Sequence, residues 1–214
     1  MPEISFRPCH PRDVDRAVPL IYSSGPAAFD YVFCDCSEQQ SLEFLRQAFV
    51  AGNSEFGYRQ HTAALLDGTL VGVGAIRDAT QNLAFTLSAF RSIASFYPPL
   101  AAMRTITRGL RAELVIQPPK SGVGVIYHLG VVPEYRGRGI GKKLLQKLLG
   151  RIHEKGLETA ALDVAETNPR AKSLYKCMGF SEKHTRTTGL HSRFGRVPDH
   201  THMELPLNSG KQPV

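Results

Sequence analysis

The chain reads as one α/β domain organised around a mixed sheet. Three observations predict this. Patterned segments follow a β–α–α–β–β order at the start and a strand–helix–strand–helix–strand order from Val123 onward. The length of 214 residues suits one well-filled core with a modest insertion. An apolar content of 42% against 21% charged is that of an ordinary globular chain, and no run of about 18 apolar residues offers a membrane span.

Ile4–Arg7 is expected as a short strand, and Pro11–Tyr22, entered through Pro11 and the acids Asp13 and Asp15, as a first helix. Ser37 followed by Gln40 resembles a capping box that opens a second helix through about Val50. His61–Leu66 and Thr69–Ile76 form a hairpin around the tight turn Asp67-Gly68. In Arg77–Lys120, apolar residues recur at helical spacing on both sides of Pro98-Pro99, which predicts two helices with a proline break. That segment reads either as a helical hairpin completing the core or as a lid or oligomer contact, so a homodimer is open.

Val123–Val132 is β-branched and apolar, the pattern of a buried central strand. Gly139–Lys155 follows as a helix with one stripe of Ile140, Leu144, Leu145, Leu148, Leu149 and Ile152, closed by Gly156. Thr159–Val164 is a strand, Pro169–Met178 a helix closed by Gly179, Phe180–His184 the start of a strand, and Met203–Leu205 part of a last one. The domain is expected to span 1–206, with the helical insertion at about 77–120 and a flexible tail at 207–214.

The formal charge of +7 is uneven. Arg136–Lys155 holds seven basic residues against the single acid Glu154, a local net of +6, which points to a local anionic partner. That segment lacks interleaved aromatics apart from Tyr135, so no nucleic-acid partner is expected. The N-terminus has no basic-then-apolar signal pattern, which predicts cytoplasmic residence. Only Cys34-Asp35-Cys36 clusters cysteines, without a second pair at zinc-ribbon spacing, so reduced thiols and no metal are expected.

Val132–Leu145, VPEYRGRGIGKKLL, concentrates the chemistry. A buried strand ends, a short loop runs Pro133–Arg138, and a helix begins near Gly139. The first turn of a helix carries backbone N–H groups without internal partners and the positive end of the helix dipole. A pyrophosphate can take those hydrogen bonds where side chains do not intervene. Gly137, Gly139 and Gly141 remove side chains, while Arg136, Arg138 and Lys142 add charge. The spacing fits neither a Walker loop nor a dinucleotide fingerprint: Lys142 is followed by Lys143, and the third fingerprint glycine counted from Gly137 falls on Lys142.

HLGVVPEYRGRGIGKKLL resembles the signature segment of the GNAT superfamily of N-acetyltransferases, Arg/Gln-x-x-Gly-x-Gly/Ala, met here by Arg136-Gly137-Arg138-Gly139-Ile140-Gly141. LDVAETNPRAKSLYKCMGF resembles the family's second landmark, with Asn168, Ala171, Leu174-Tyr175 and Gly179-Phe180 in register. The two cover Tyr127–Phe180, while the Arg77–Lys120 insertion departs from the family's compact form. The resemblance implies a single GNAT-like domain with a mixed, mostly antiparallel twisted sheet flanked by helices and a helical insertion before the central strand.

It further implies acetyl-CoA as co-substrate. The backbone of Leu129, Gly130 and Val131 would hold the pantetheine arm and thioester, and Arg136, Gly137, Arg138, Gly139, Ile140, Gly141 and Lys142 the pyrophosphate. Asn168 stands at a CoA- or water-binding amide and Tyr175 at the general acid. Asp163, five residues before Asn168, stands where some relatives carry a Glu that takes the amine's proton; the shorter Asp would need a relayed water. His128 has a suitable ordinary pKa, but simple strand alternation puts it on the opposite face from Tyr127 and Leu129, and water chains remain a third route. Tyr127 is open as a substrate-facing residue. His184, His191, His200 and His202 read as surface or acceptor-site histidines rather than metal ligands. The implied reaction is direct transfer to a small-molecule or peptide primary amine in a ternary complex, with a non-catalytic acyl-CoA-binding sensor or scaffold as the alternative.

Overall fold

The structure is a computed structural model that describes residues 3–37 and 39–207. A seven-stranded sheet forms its middle layer: β1 (Ile4–Pro8), β2 (His61–Leu66), β3 (Thr69–Arg77), β4 (Val123–Val131), β5 (Thr159–Ala165), β6 (Ser181–Arg186) and β9 (His200–Pro206), in the order β1-β2-β3-β4-β5-β9-β6. Every neighbouring pair is antiparallel except β4 and β5. That parallel pair makes the sheet mixed and mostly antiparallel, as expected.

One face is covered by α1 (Val14–Ser23), α2 (Pro26–Phe33), α3 (Gln40–Ala51) and the inner sides of α4 (Asn82–Phe96) and α5 (Pro99–Ala112). The other is covered by α6 (Ile140–Glu154) and α7 (Pro169–Cys177). The α6 stripe is buried as its spacing predicts, all six residues at most 2% exposed. Burying such a side chain contributes about 1.5–3 kcal/mol, so this stripe fixes the helix on the sheet.

Several boundaries differ from expectation for physical reasons. The first helix begins with a 3₁₀ turn at Pro11–Asp13, where Asp13 accepts from the His10 amide and from Arg7. The Ser37–Gln40 capping box does not form; Gln40 Oε1 instead accepts from the Asp35 and Cys36 amides at 2.7 and 3.0 Å. α2 went unforeseen because PAAFDYVF is short and has one charged residue, Asp30, too few to give it a period. Also unforeseen is a small ribbon of β7 (His191–Ser192) and β8 (Gly195–Arg196).

The insertion is the expected pair of helices broken at Tyr97-Pro98. Its inner side joins the core: the Tyr97 hydroxyl donates to the Phe33 carbonyl, and Arg108 donates to the Cys34 carbonyl at 2.7 Å. Its outer side leaves Leu83, Leu87, Leu100, Met103 and Leu110 exposed. Leu207, expected to begin the tail, donates its amide to Glu158 at 2.8 Å; the remainder of that tail, 208–214, lies outside the described residues.

β4 corrects the picture of a uniformly buried strand. Gly124 to Ile126 are buried, but Tyr127, His128 and Leu129 are half-exposed. The cause is its neighbour: β4 and β5 pair only through Val123–Thr159, Gly124–Ala160 and Val125–Ala161, then part. Beyond Val125, the β5-facing backbone edge of β4 has no ladder partner.

Candidate active site

Where β4 ends, a 3₁₀ turn at Pro133–Tyr135 leads into the glycine loop. Gly137 and Gly139 have φ of +81° and +78°. A Cβ at either would meet nothing within 4 Å, so it is the left-handed backbone that demands glycine. The expectation that these glycines clear side chains is thereby extended: they also let the loop take a left-handed bend ahead of α6. The first bond of the α6 ladder runs from the Lys143 amide to the Gly139 carbonyl at 3.0 Å. The amides of Ile140, Gly141 and Lys142 lie before it, at the positive end of a 15-residue helix.

Charge surrounds this cradle. Arg136 Nε donates to the Val131 carbonyl at 2.9 Å, bracing the strand end, and the Arg138 guanidinium lies 5.2 Å from the Tyr135 ring centre. Arg136, Arg138 and Lys142 are exposed, whereas the Ile140 side chain is buried and offers only its backbone. A Cβ at Gly141 would sit 3.7 Å from both Val131 and Leu174, which shows strand end, loop helix and α7 converging. At Gly130 a Cβ would lie 2.5 Å from the Leu20 carbonyl oxygen, so α1 crosses β4 in direct contact there.

Asn168 caps α7, its Oδ1 accepting from the Ala171 amide at 3.1 Å, which leaves its NH₂ outward. Two turns on, Tyr175 is 8% exposed, with its ring 6.0 Å from that of Phe180. Its hydroxyl bonds to none of the described residues, and burial pushes its pKa up to about 12. A phenol so placed stays protonated and has a proton to give.

The opposite face of the parting holds a second group. Val73 pairs with Gly130 and Ala75 with Tyr127, so His128 and Leu129 together oppose Gly74 in a β-bulge. His128 takes a left-handed φ of +53°. Strand alternation fails at this point, and the expectation that His128 faces away from Tyr127 is corrected. Both rings lie on the α1–α3 face, 4.6 Å apart, while Leu129 points towards α6. Tyr127 donates to the Glu55 carbonyl at 3.2 Å, and Glu55 pairs with Arg77 at 2.8 Å.

Asp163 is on that same face of β5, 7% exposed, with Oδ1 accepting from Arg186 and His202, each at 3.0 Å. The Asp163 bond holds the His202 pKa above its ordinary value. His184 stacks on His202 at 5.1 Å. His191 and His200 turn instead to the carbonyls of Gly189 and Pro198, so the four C-terminal histidines do not form one group. Among the described residues, no set of three or more His, Cys, Asp or Glu side chains is arranged to hold a metal, and no helix is long and apolar enough to cross a membrane.

N-acetyltransferases of known structure share this fold. An N-acetyltransferase from Staphylococcus aureus Mu50 superposes with a TM-score of 0.69 over 94% of this chain and all of that one, at 18% identity. The family model described as "Acetyltransferase (GNAT) family" matches residues 26–180, and the chain belongs to that family. Among curated relatives, the Escherichia coli [ribosomal protein bS18]-alanine N-acetyltransferase is 31% identical over 83 residues, 39% of this chain and 55% of that protein. A mycothiol acetyltransferase from Beutenbergia cavernae is 33% identical over 86 residues, 40% of this chain and 27% of that one. The matches thus span from about a quarter to just over half of these relatives' length.

Proposed function

We propose that this chain is an acetyl-CoA-dependent N-acetyltransferase that passes an acetyl group to a primary amine by direct attack in a ternary complex. The observation that carries the proposal is the unpaired edge of β4 running from Tyr127 to Val131 straight into the amide cradle of α6. Such an edge suits the amide-bearing arm of CoA, and the cradle suits its pyrophosphate. Leu129, Gly130 and Val131 hold the arm and polarise the thioester carbonyl, acting as preorganised donors for the oxyanion. The amides of Gly137–Lys142, with Arg136, Arg138 and Lys142, take the phosphates, and the Asn168 NH₂ bonds the cofactor or a water.

Tyr175 gives its proton to the departing thiolate. The acceptor enters from the opposite face, between Tyr127 and Asp163. Asp163 has Oδ1 engaged, so any proton it takes arrives at Oδ2 through a water. The E. coli relative, named for acting on an alanine of a ribosomal protein, supports an amine acceptor of small-molecule or peptide type. The four cysteines, all free, accord with work in the reducing cytoplasm.

A thiol-release assay with acetyl-CoA and a panel of α-amines, lysine derivatives and polyamines tests this reading, with mass spectrometry of the product. Acceptor-dependent thiol release and an acetylated amine are expected. Tight acetyl-CoA binding without release for any amine would point to a sensor instead.

A further inference from the structure

The proposed reaction needs a group to remove a proton from the amine nitrogen, and the bulge in β4 presents one. His61 begins β2, and its register partner across the sheet is Ala75, which in turn pairs with Tyr127 on β4. The small Ala75 side chain leaves room above β3, and across it His61 Nε2 meets His128 Nδ1 at 3.0 Å, with the two rings parallel to within 2°. His61 Nδ1 meets the Gly57 carbonyl at 2.8 Å.

This chain of contacts fixes every proton. A carbonyl only accepts, so His61 carries its hydrogen on Nδ1. Burial lowers the His61 pKa to about 4, which keeps the ring neutral and makes Nε2 an acceptor. His128 must then donate from Nδ1, and burial holds its pKa well below the ordinary value too. Its remaining nitrogen, Nε2, carries a lone pair and meets no polar group among the described residues, in a side chain that is half-buried. Nδ1 is engaged towards β2, so Nε2 is the nitrogen left for an acceptor. Phe29 and Phe56 clamp the ring at 5.5 and 5.6 Å. The titratable groups around it are His61, Tyr127 and Arg77, the last paired with Glu55.

The geometry points to His128 as the general base of the acetyl transfer, with His61 and the Gly57 carbonyl as the positioning groups that hold its tautomer. This rests on the reading of the chain as an acetyltransferase. The left-handed backbone at His128 fits such a role, since strain of this kind persists where the surroundings over-determine a functional residue. The acceptor docks as the free amine, and its nitrogen bonds the thioester carbonyl carbon. That nitrogen becomes strongly acidic as the C–N bond forms, so a weak base suffices, and its proton passes to His128 Nε2. The C–S bond then breaks, and the thiolate takes the Tyr175 proton. His128 returns its proton through solvent to the tyrosinate, so the reaction yields one amide and one CoA thiol. Since the acceptor must arrive already deprotonated, the site favours α-amines, whose pKa lies near ~7.7–8.0, over lysine side chains near ~10.4.

Nitrogen-detected NMR of the ¹⁵N-histidine-labelled free protein reads the tautomer without turnover: His128 is expected with Nδ1 protonated and Nε2 bare, and a protonated Nε2 would overturn the assignment. In steady-state assays, His128→Gln is expected to lower kcat by about 10²–10⁴-fold with unchanged calorimetric affinity for acetyl-CoA, and added imidazole to restore part of the rate. His61→Leu should release the tautomer and lower kcat, whereas His61→Gln, able to accept from His128 and donate to Gly57, should recover most of it. Full activity in His128→Gln, or a large loss in Asp163→Asn alone, would move the base elsewhere while leaving the acetyltransferase reading intact. A wild-type protein that binds acetyl-CoA but acetylates nothing would instead defeat that underlying reading.

Discussion

Gly139 gives a quantitative test of what the glycine loop is for. Its φ of +78° costs an L-residue about 1–2 kcal/mol. A Cβ there would touch nothing within 4 Å, so steric overlap adds nothing to that cost in the free protein. If Gly139→Ala lets the free loop relax out of the left-handed region, acetyl-CoA must pull it back, and affinity falls by about 5- to 30-fold at 1.4 kcal/mol per decade. If the loop cannot relax, the same energy leaves the stability of the fold. Calorimetric titration with acetyl-CoA and urea unfolding of each variant together measure both shares. Gly139→Asn is expected to lose less than Ala because Asn tolerates this backbone, and Gly139→Val to lose most. Losses that instead follow side-chain size, with Asn worse than Ala, would refute the conformational explanation and leave only access to the amides. Wild-type affinity and stability in all three variants would refute both.

Three further outcomes follow from Tyr175 and His61. Tyr175→Phe should lower turnover while sparing the calorimetric affinity for acetyl-CoA; and because burial raises the Tyr175 pKa to about 12, wild-type kcat should show no falling limb near pH 10, where an ordinary phenol ionises. His61 is neutral in the fold down to about pH 4, while its unfolded counterpart takes a proton near ~6.5. Its contribution is therefore fully present above pH ~6.5 and is lost as pH falls towards the folded value, at up to about 1.4 kcal/mol per pH unit. Urea unfolding at pH 7, 6 and 5 should show this slope, and His61→Gln should make it shallower; an unchanged slope would remove His61 from the acid response.

What could be read from sequence was what repeats. The stripe from Ile140 to Ile152 has a period, and the glycines of the loop stand at fixed spacing, so α6 and the cradle were legible in advance. α2 was not, because Pro26–Phe33 is short and carries a single charged residue, Asp30. Nor was the face of His128. Alternation assumes an unbroken ladder, and nothing in YHLGV tells which residue will take the left-handed turn. The pairing of Asp163 with Arg186 and His202 was equally hidden, since it joins three strands that meet only in the folded sheet. The sequence named Asp163 from its position relative to Asn168, but the partners that occupy its Oδ1 lie 23 and 39 residues away.

Only three residue pairs suture β4 to β5, so mechanically the sheet is two plates, one of four strands and one of three, fastened at a single margin. The opening angle between the plates depends on what lies across the seam. α6 lies there: Leu144, Leu148 and their companions share one apolar cluster with Ile126 on one plate and with Ala160, Leu162 and Val164 on the other. Shortening any of those side chains loosens the domain and also resets the width of the wedge. The width of the wedge thus depends on leucines packed beneath the seam.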